Sequence, residues 1–271
     1  MNIDFKYRQF LPESRRIVVK IGTRVFAQKT GKPDLPQLKS IVSQVASLHR
    51  GGYQVVLVSS GAIAAGMASL GIKERPKEVP DLQMCAAVGQ ARLMALYEEC
   101  FMASKIKIGQ VLLTHDDFDN RIRLSNARRT MEHLLCNGVI PIINENDVVA
   151  DEEIKAYLSL GDNDFLAALV VKLIRADLLI ILSTVDGLLR MDQKSKRRIP
   201  CIEKLDKEAF KLVTPGSGSL SKGGMDSKLR SAQIAVKAGC TVVIANGRKR
   251  GTLCDVVAGK DVGTLILGST I

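Results

Sequence analysis

The sequence predicts an α/β fold built on a mostly parallel sheet with helices on both faces. Short apolar, β-branched runs recur along the chain, helix-length segments with helical spacing lie between most of them, and the two alternate. A short run that is apolar at every position suits a strand covered on both faces, and strand–helix alternation suits parallel pairing.

The strand candidates are Ile17–Val19, Val55–Val58, Val111–Leu113, Val139–Ile143, Leu178–Leu182, Thr241–Ile244 and Thr264–Leu267. Leu35–Arg50 reads as a helix because its apolar residues fall at 38, 41, 42, 45 and 48. Asp81–Ser104 and Arg121–Asn137 read the same way, the second stopping at Gly138. Leu166–Arg175 and Met225–Ala238, the latter followed by Gly239, complete the set. Arg190–Ser221 is the least regular stretch, and no internal repeat or long linker is visible.

Composition narrows the function classes. The 271 residues suit one large α/β domain or two small ones, with a single domain over 1–271 expected here, and 46% hydrophobic with 25% charged residues reads as soluble and globular. The N-terminal residues lack an apolar stretch of signal-peptide length, and runs such as Leu178–Leu182 are strand-sized. The expectation is a cytoplasmic protein with no membrane partner. Six scattered cysteines, without CxxC or zinc spacing, read as reduced and mostly core-filling. The net charge of +11 suits anionic ligands. Its two short basic runs, Lys194–Arg198 and Arg248–Arg250, read as solvated loops rather than a nucleic-acid surface. The three histidines, His49, His115 and His133, read as surface or packing residues, and no Ser/His/Asp or Cys/His constellation is apparent.

Ligands of open α/β sheets sit at the carboxyl ends of strands. The first strand ends in Lys20 and Gly22, a point charge beside a residue that lets backbone N–H groups approach a phosphate. After the second, Ser59-Ser60-Gly61 is expected to cap a helix whose N-terminus attracts an anion. Residues 217–228, "SGSLSKGGMDSK", match neither a Walker A loop nor GxGxxG, yet place Gly223-Gly224 before a helix and Lys228 one turn inside it. Two acidic and amide clusters, Asn144–Asp147 and Gly161–Asp164, follow an apolar strand in this basic chain. Metal binding, surface solvation and recognition of a cationic ligand all predict such clusters. Phosphoryl transfer suits a chain so poor in general bases, because it depends on positioning and electrostatics.

Together "VVKIGTR", "SSGAIAAG", "AAVGQARLM", "GQVLLT", "NARRTMEHLLCNGVIPIINENDVVA", "GDNDFLAALV", "VDGLL" and "GGMDSKL" resemble the glutamate 5-kinases of the amino acid kinase superfamily, in the same order and across roughly Arg16 to Gly268. The resemblance implies a three-layer αβα sandwich and ATP-dependent phosphorylation of the L-glutamate side-chain carboxylate, the first step of proline synthesis. It implies glutamate binding by the part up to about residue 165, through Ser60, Gly61, Asp147 and Asn163, and mainly ATP binding by about 166–271. The nucleotide positions would be Lys20, Gly22, Ser183, Thr184, Lys222, Gly223, Gly224, Met225, Asp226, Ser227 and Lys228. Lys20 and Lys228 would steady the phosphoryl group, with Asp164 between them, and Mg²⁺ would ride on the ATP phosphates. The resemblance also implies a homo-oligomer, with Asp81–Ser104 a candidate packing helix, and feedback by proline. Many bacterial members carry a C-terminal PUA domain, and none is expected here. Thr184 stands where many members carry Asp, Lys222 where Thr is usual, and the connection from Asp147 to Asn163 is longer. The alternatives are a kinase of N-acetylglutamate or a nucleoside monophosphate, and a catalytically silent RNA-associated binder.

Overall fold

The structure, a computed structural model, describes residues 3–26, 33–150, 162–192, 195–213 and 224–268. Its elements in chain order are α1 (Ile3–Arg8), β1 (Arg16–Ile21), α2 (Thr23–Phe26), α3 (Leu35–Arg50), β2 (Gln54–Val58), α4 (Ala62–Leu70) and α5 (Val79–Met102). There follow β3 (Ile108–Leu113), α6 (Asp116–Asp119), α7 (Arg121–Cys136), β4 (Ile140–Glu145), α8 (Asp162–Ile174) and β5 (Leu178–Ser183). The rest is β6 (Leu189–Asp192), β7 (Ser195–Arg198), β8 (Cys201–Ile202), α9 (Lys207–Val213), α10 (Met225–Lys237), β9 (Thr241–Asn246), α11 (Thr252–Val257) and β10 (Thr264–Ile266).

Eight strands form one sheet in the order β3-β4-β2-β1-β5-β9-β10-β8. Pairing is parallel from β3 through β9, and β10 runs antiparallel to β9. Strand β1 lies between β2 and β5, with Lys20 opposite Val58 on one side and Ile181 on the other. The chain leaves β1 toward β2 and later fills the other side, so β1/β5 is where the strand order reverses. That reversal opens a crevice at the carboxyl ends of the strands.

Side chains alternate across the pleat, so one strand feeds two cores. Ile17, Val19, Leu57, Ile142, Ile180 and Val243 pack under α3, α5 and α11. Val18, Val56, Ile143, Ile181 and Ile244 pack under α7, α8 and α10. Two helical layers around one sheet make the αβα sandwich. The alternation also sets the site: Lys20 shares the face of Val18, the face covered by α8 and α10.

Local chemistry starts several helices. The Asp34 carboxylate caps α3 by accepting from the Gln37 amide, and Asn120 caps α7 by accepting from the amides of Ile122 and Arg123. Helices α4 and α5 approach until backbone meets backbone: a Cβ at Gly66 would collide with the Cys85 carbonyl, and one at Gly89 with the Ala62 carbonyl. Arg8 is buried, and its guanidinium donates to the carbonyls of Pro200, Lys260, Val262 and Gly263.

Two sequence expectations are corrected. Helix α8 begins at Asp162, earlier than the apolar spacing predicts, and so carries Asn163 and Asp164 in its first turn. The run Lys194–Arg198 is a strand over its described part, because β7 pairs antiparallel with β6 and Arg198 reaches Asp261 at 2.6 Å. The second basic run is an exposed loop as expected, and from it Arg248 donates to the Arg24 carbonyl of α2 and lies 3.5 Å from Asp34 at the start of α3. All six cysteines are free thiols, with Cys85, Cys100 and Cys240 buried.

Candidate functional site

The crevice at β1 collects charge from three elements. Lys20 comes from the end of β1, Asp164 from the first turn of α8 and Lys228 from the first turn of α10. Lys20 Nζ lies 2.7 Å from Asp164 Oδ1, and Lys228 Nζ lies 2.9 Å from Asp164 Oδ2. The carboxylate is 1% exposed and both lysines are buried. Burial alone would raise the Asp164 carboxyl pKa, and the two ammonium groups outweigh it, holding the group below the usual carboxylate range. Ser227 Oγ, 3.4 Å from Asp164 Oδ2, also bonds the Gly224 carbonyl at 2.9 Å. The result is two cations bridged by one anion: two lysines brought together, their repulsion offset, beside a crevice.

Next to it lies a seat of amides. Asn163 Nδ2 contacts the Ser59 carbonyl oxygen, Ser60 Oγ at 2.9 Å and Asn144 Oδ1 at 2.8 Å. An amide nitrogen carries two hydrogens, so these acceptors compete, and the Ser60 hydroxyl is the one that can rotate toward a ligand. Asn144 sits at the end of β4, three residues before the half-buried Asp147 in the turn that follows. Asn144 Nδ2 in turn donates to Gln90 Oε1 at 2.7 Å. Ser59 Oγ bonds the Tyr97 hydroxyl at 2.9 Å, and burial pushes that phenol's pKa up, so it stays protonated.

The expected Ser cap of α4 is not formed. Gly61 is the N-cap, in a left-handed conformation at φ 98°, with no side-chain cap. The serine hydroxyls turn instead to Asn163 and Tyr97, partners distant in sequence. A side chain at 61 would be strained by its φ and would press on the Phe26 ring at 2.9 Å.

The other candidate positions fall as follows. Gly22 donates its backbone N–H to the Leu182 carbonyl at 3.3 Å, just behind Lys20. Ser183 ends β5 half-buried, and Thr184 is exposed beyond it. Gly224 is the N-cap of α10, Met225 packs against the second core, and Asp226 pairs with Arg230 at 2.7 Å. Lys222 and Gly223 lie outside the described residues, as does the part of the long Asp147–Asn163 connection from 151 to 161. Sequence reasoning assigned no role to Asn144, Gln90, Tyr97 or Glu145. His115, read as a packing residue, stacks on Phe165 with ring centroids 5.1 Å apart and places Nδ1 3.9 Å from Glu145 Oε1. Among the described residues no group of three or more His, Cys, Asp or Glu side chains could hold a metal ion.

A model of the amino acid kinase family matches residues 15–246. The chain belongs to the amino acid kinase family. Curated relatives include a glutamate 5-kinase from Clostridium tetani, 42% identical over 265 residues that make up 97% of this chain and 98% of the relative. Another, from Pelobacter propionicus, is 42% identical over 96% of this chain and 69% of its own length. Among solved structures, a carbamate kinase from Giardia lamblia bound to AMP-PNP superposes with a TM-score of 0.66 at 17% identity, over 94% of this chain and 99% of that one. A UMP kinase from Bacillus anthracis superposes with a TM-score of 0.63 at 14% identity, over 95% and 97%. These two likenesses bear on the fold, and the family's sandwich is the fold described above. No helix among the described residues is long and apolar enough to cross a membrane.

Proposed function

We propose that this chain is a glutamate 5-kinase: it transfers the γ-phosphoryl group of ATP to the side-chain carboxylate of L-glutamate, giving glutamyl 5-phosphate and ADP, the first step of proline synthesis. The observation that carries the reading is the Lys20–Asp164–Lys228 bridge set directly beside the Asn163–Ser60 amide seat. The glutamate 5-kinase relatives, at about 42% identity over nearly the whole chain, support the choice of acceptor.

The chemistry follows from the charges. A Glu-like carboxylate, with a free pKa of about 4.3, is ionised near neutral pH and needs no general base. One of its oxygens attacks the γ-phosphorus, and the bond to the bridging oxygen breaks with its electrons leaving on ADP. Lys20 and Lys228 offset the charge on the transferring phosphoryl oxygens, and Asp164 keeps the two ammonium groups close and oriented. Asp147 supplies a negative charge to the substrate ammonium, a charge-assisted contact about twice as strong as a neutral one. Asn163 and the Ser60 hydroxyl bond the substrate's polar groups, and the start of α4 at Gly61 offers backbone donors to a carboxylate.

Asp164 is engaged by two ammonium groups, so its oxygens are not those of a cation cage. Mg²⁺ in this reading rides on the ATP phosphates, keeping several waters and neutralising phosphate charge. The nucleotide belongs to about 166–271, through Gly22, Ser183, Thr184 and the 222–228 segment, and glutamate belongs to the part up to about 165. Met84 and Val88, one turn apart and exposed on α5, support a homo-oligomer that packs through this helix. Feedback by proline and a cytoplasmic location belong to the same reading.

The test is ADP release with and without L-glutamate, trapping the acyl phosphate with hydroxylamine. ADP release that ignores glutamate, with no hydroxamate formed, would overturn the assignment.

A further inference from the structure

The amide end of the site contains a donor with nothing to bond among the described residues. A backbone carbonyl only accepts, so the Ser59 oxygen obliges Asn163 to turn its NH₂ group that way. Asn144 must then offer Oδ1 to Asn163, which leaves its Nδ2 to donate to Gln90 Oε1 at 2.7 Å. Gln90 therefore has its oxygen committed to Asn144 and its NH₂ on the other branch. That nitrogen, Nε2, is shut off from solvent and has no partner among the described residues. A buried unpaired donor is costly. A carboxylate at position 90 would accept from Asn144 equally well and leave no unpaired hydrogen. The fixed polarity of the relay thus points to an acceptor that arrives with the ligand.

We propose that Gln90 is a further substrate-binding residue whose Nε2 donates to the α-carboxylate of the bound amino acid. The inference rests on the glutamate reading above and deepens it. The side-chain carboxylate must lie at the Lys20–Lys228 end to be phosphorylated, and an ammonium needs acceptors. The α-carboxylate is the group left for a donor at the amide end, and Gln90 reaches that end from α5 through Asn144 and Asn163. Selection for an acid with a free α-carboxylate is the consequence.

Two substitutions separate this from a merely structural role. Gln90→Glu keeps the acceptor for Asn144 and replaces the donor with oxygen; Gln90→Met removes both. The proposal expects Gln90→Glu to be the worse variant, with glutamate KM raised at least tenfold at pH 8 while kcat, ATP KM and the thermal midpoint stay near the parent. A role confined to holding Asn144 gives the opposite order, with Gln90→Glu near the parent and Gln90→Met impaired, and that order would overturn the proposal. Should Gln90→Glu fail to fold, competition by 4-aminobutyrate, which is glutamate without its α-carboxylate, decides it with Gln90→Met. An inhibition constant unchanged from the parent while glutamate KM rises supports the contact, and an equal rise in both refutes it. Absence of glutamate-dependent ADP release from the parent itself would instead defeat the underlying assignment.

Discussion

Replacing Asp164 with Asn keeps the shape of the bridge and removes its charge. The ammonium nitrogens lie 2.7 and 2.9 Å from the two oxygens of one carboxylate. Their mutual separation is then about 5 Å, and an effective dielectric constant of about 20 gives roughly 3 kcal/mol of repulsion. In the parent the carboxylate offsets that repulsion, and in Asp164→Asn nothing does. A penalty of roughly 3 kcal/mol on holding both cations in place corresponds to a turnover loss of about 10²-fold. ADP release at saturating glutamate reads the loss. Turnover within threefold of the parent would refute the electrostatic account.

Lys20→Ala and Lys228→Ala each remove one preorganised donor and are expected to cost about 10²–10³-fold in kcat, with near-normal turnover counting against the role. Asp147→Ala is expected to act mainly on glutamate KM and to spare ATP KM, and unchanged glutamate saturation would remove Asp147 from the seat. Gly89→Ala drives a methyl into the Ala62 carbonyl, so α4 and α5 must separate at a cost of about 1–3 kcal/mol, read as a fall in thermal midpoint of several degrees. Arg8→Met strips charged donors from the carbonyls of Pro200, Lys260, Val262 and Gly263, and its unfolding free energy should fall by about 3 kcal/mol or more in urea titration with kcat unchanged.

What was legible in the sequence is what local pattern encodes. Strands such as Leu178–Ser183 are apolar at nearly every position because both faces are covered, and Leu35–Arg50 shows its helical stripe in full. Lys20, Asp164 and Lys228 were legible as motif positions through the family likeness, since no spacing rule brings residues so distant in sequence to one carboxylate. The start of α8 was missed because Asp162, Asn163 and Asp164 carry no apolar signal, and the Asn163 and Asp164 side chains are what the helix presents to the site. The cap of α4 was misread for a related reason. A Ser before a helix is a local cue, and here the hydroxyls are claimed by Tyr97 and Asn163 from other elements. Gln90 was visible only as a letter in "AAVGQARLM", because its meaning lies in the direction of an amide relay that tertiary structure sets. The hairpin of β6 and β7 was hidden under the charge of Lys196, Arg197 and Arg198.

The Arg8 clamp bears on how the chain is made. Its carbonyl partners include Lys260, Val262 and Gly263, so the first helix cannot find its seat while the ribosome is still translating the middle of the message. Until residue 263 clears the exit tunnel, α1 has only part of its docking surface.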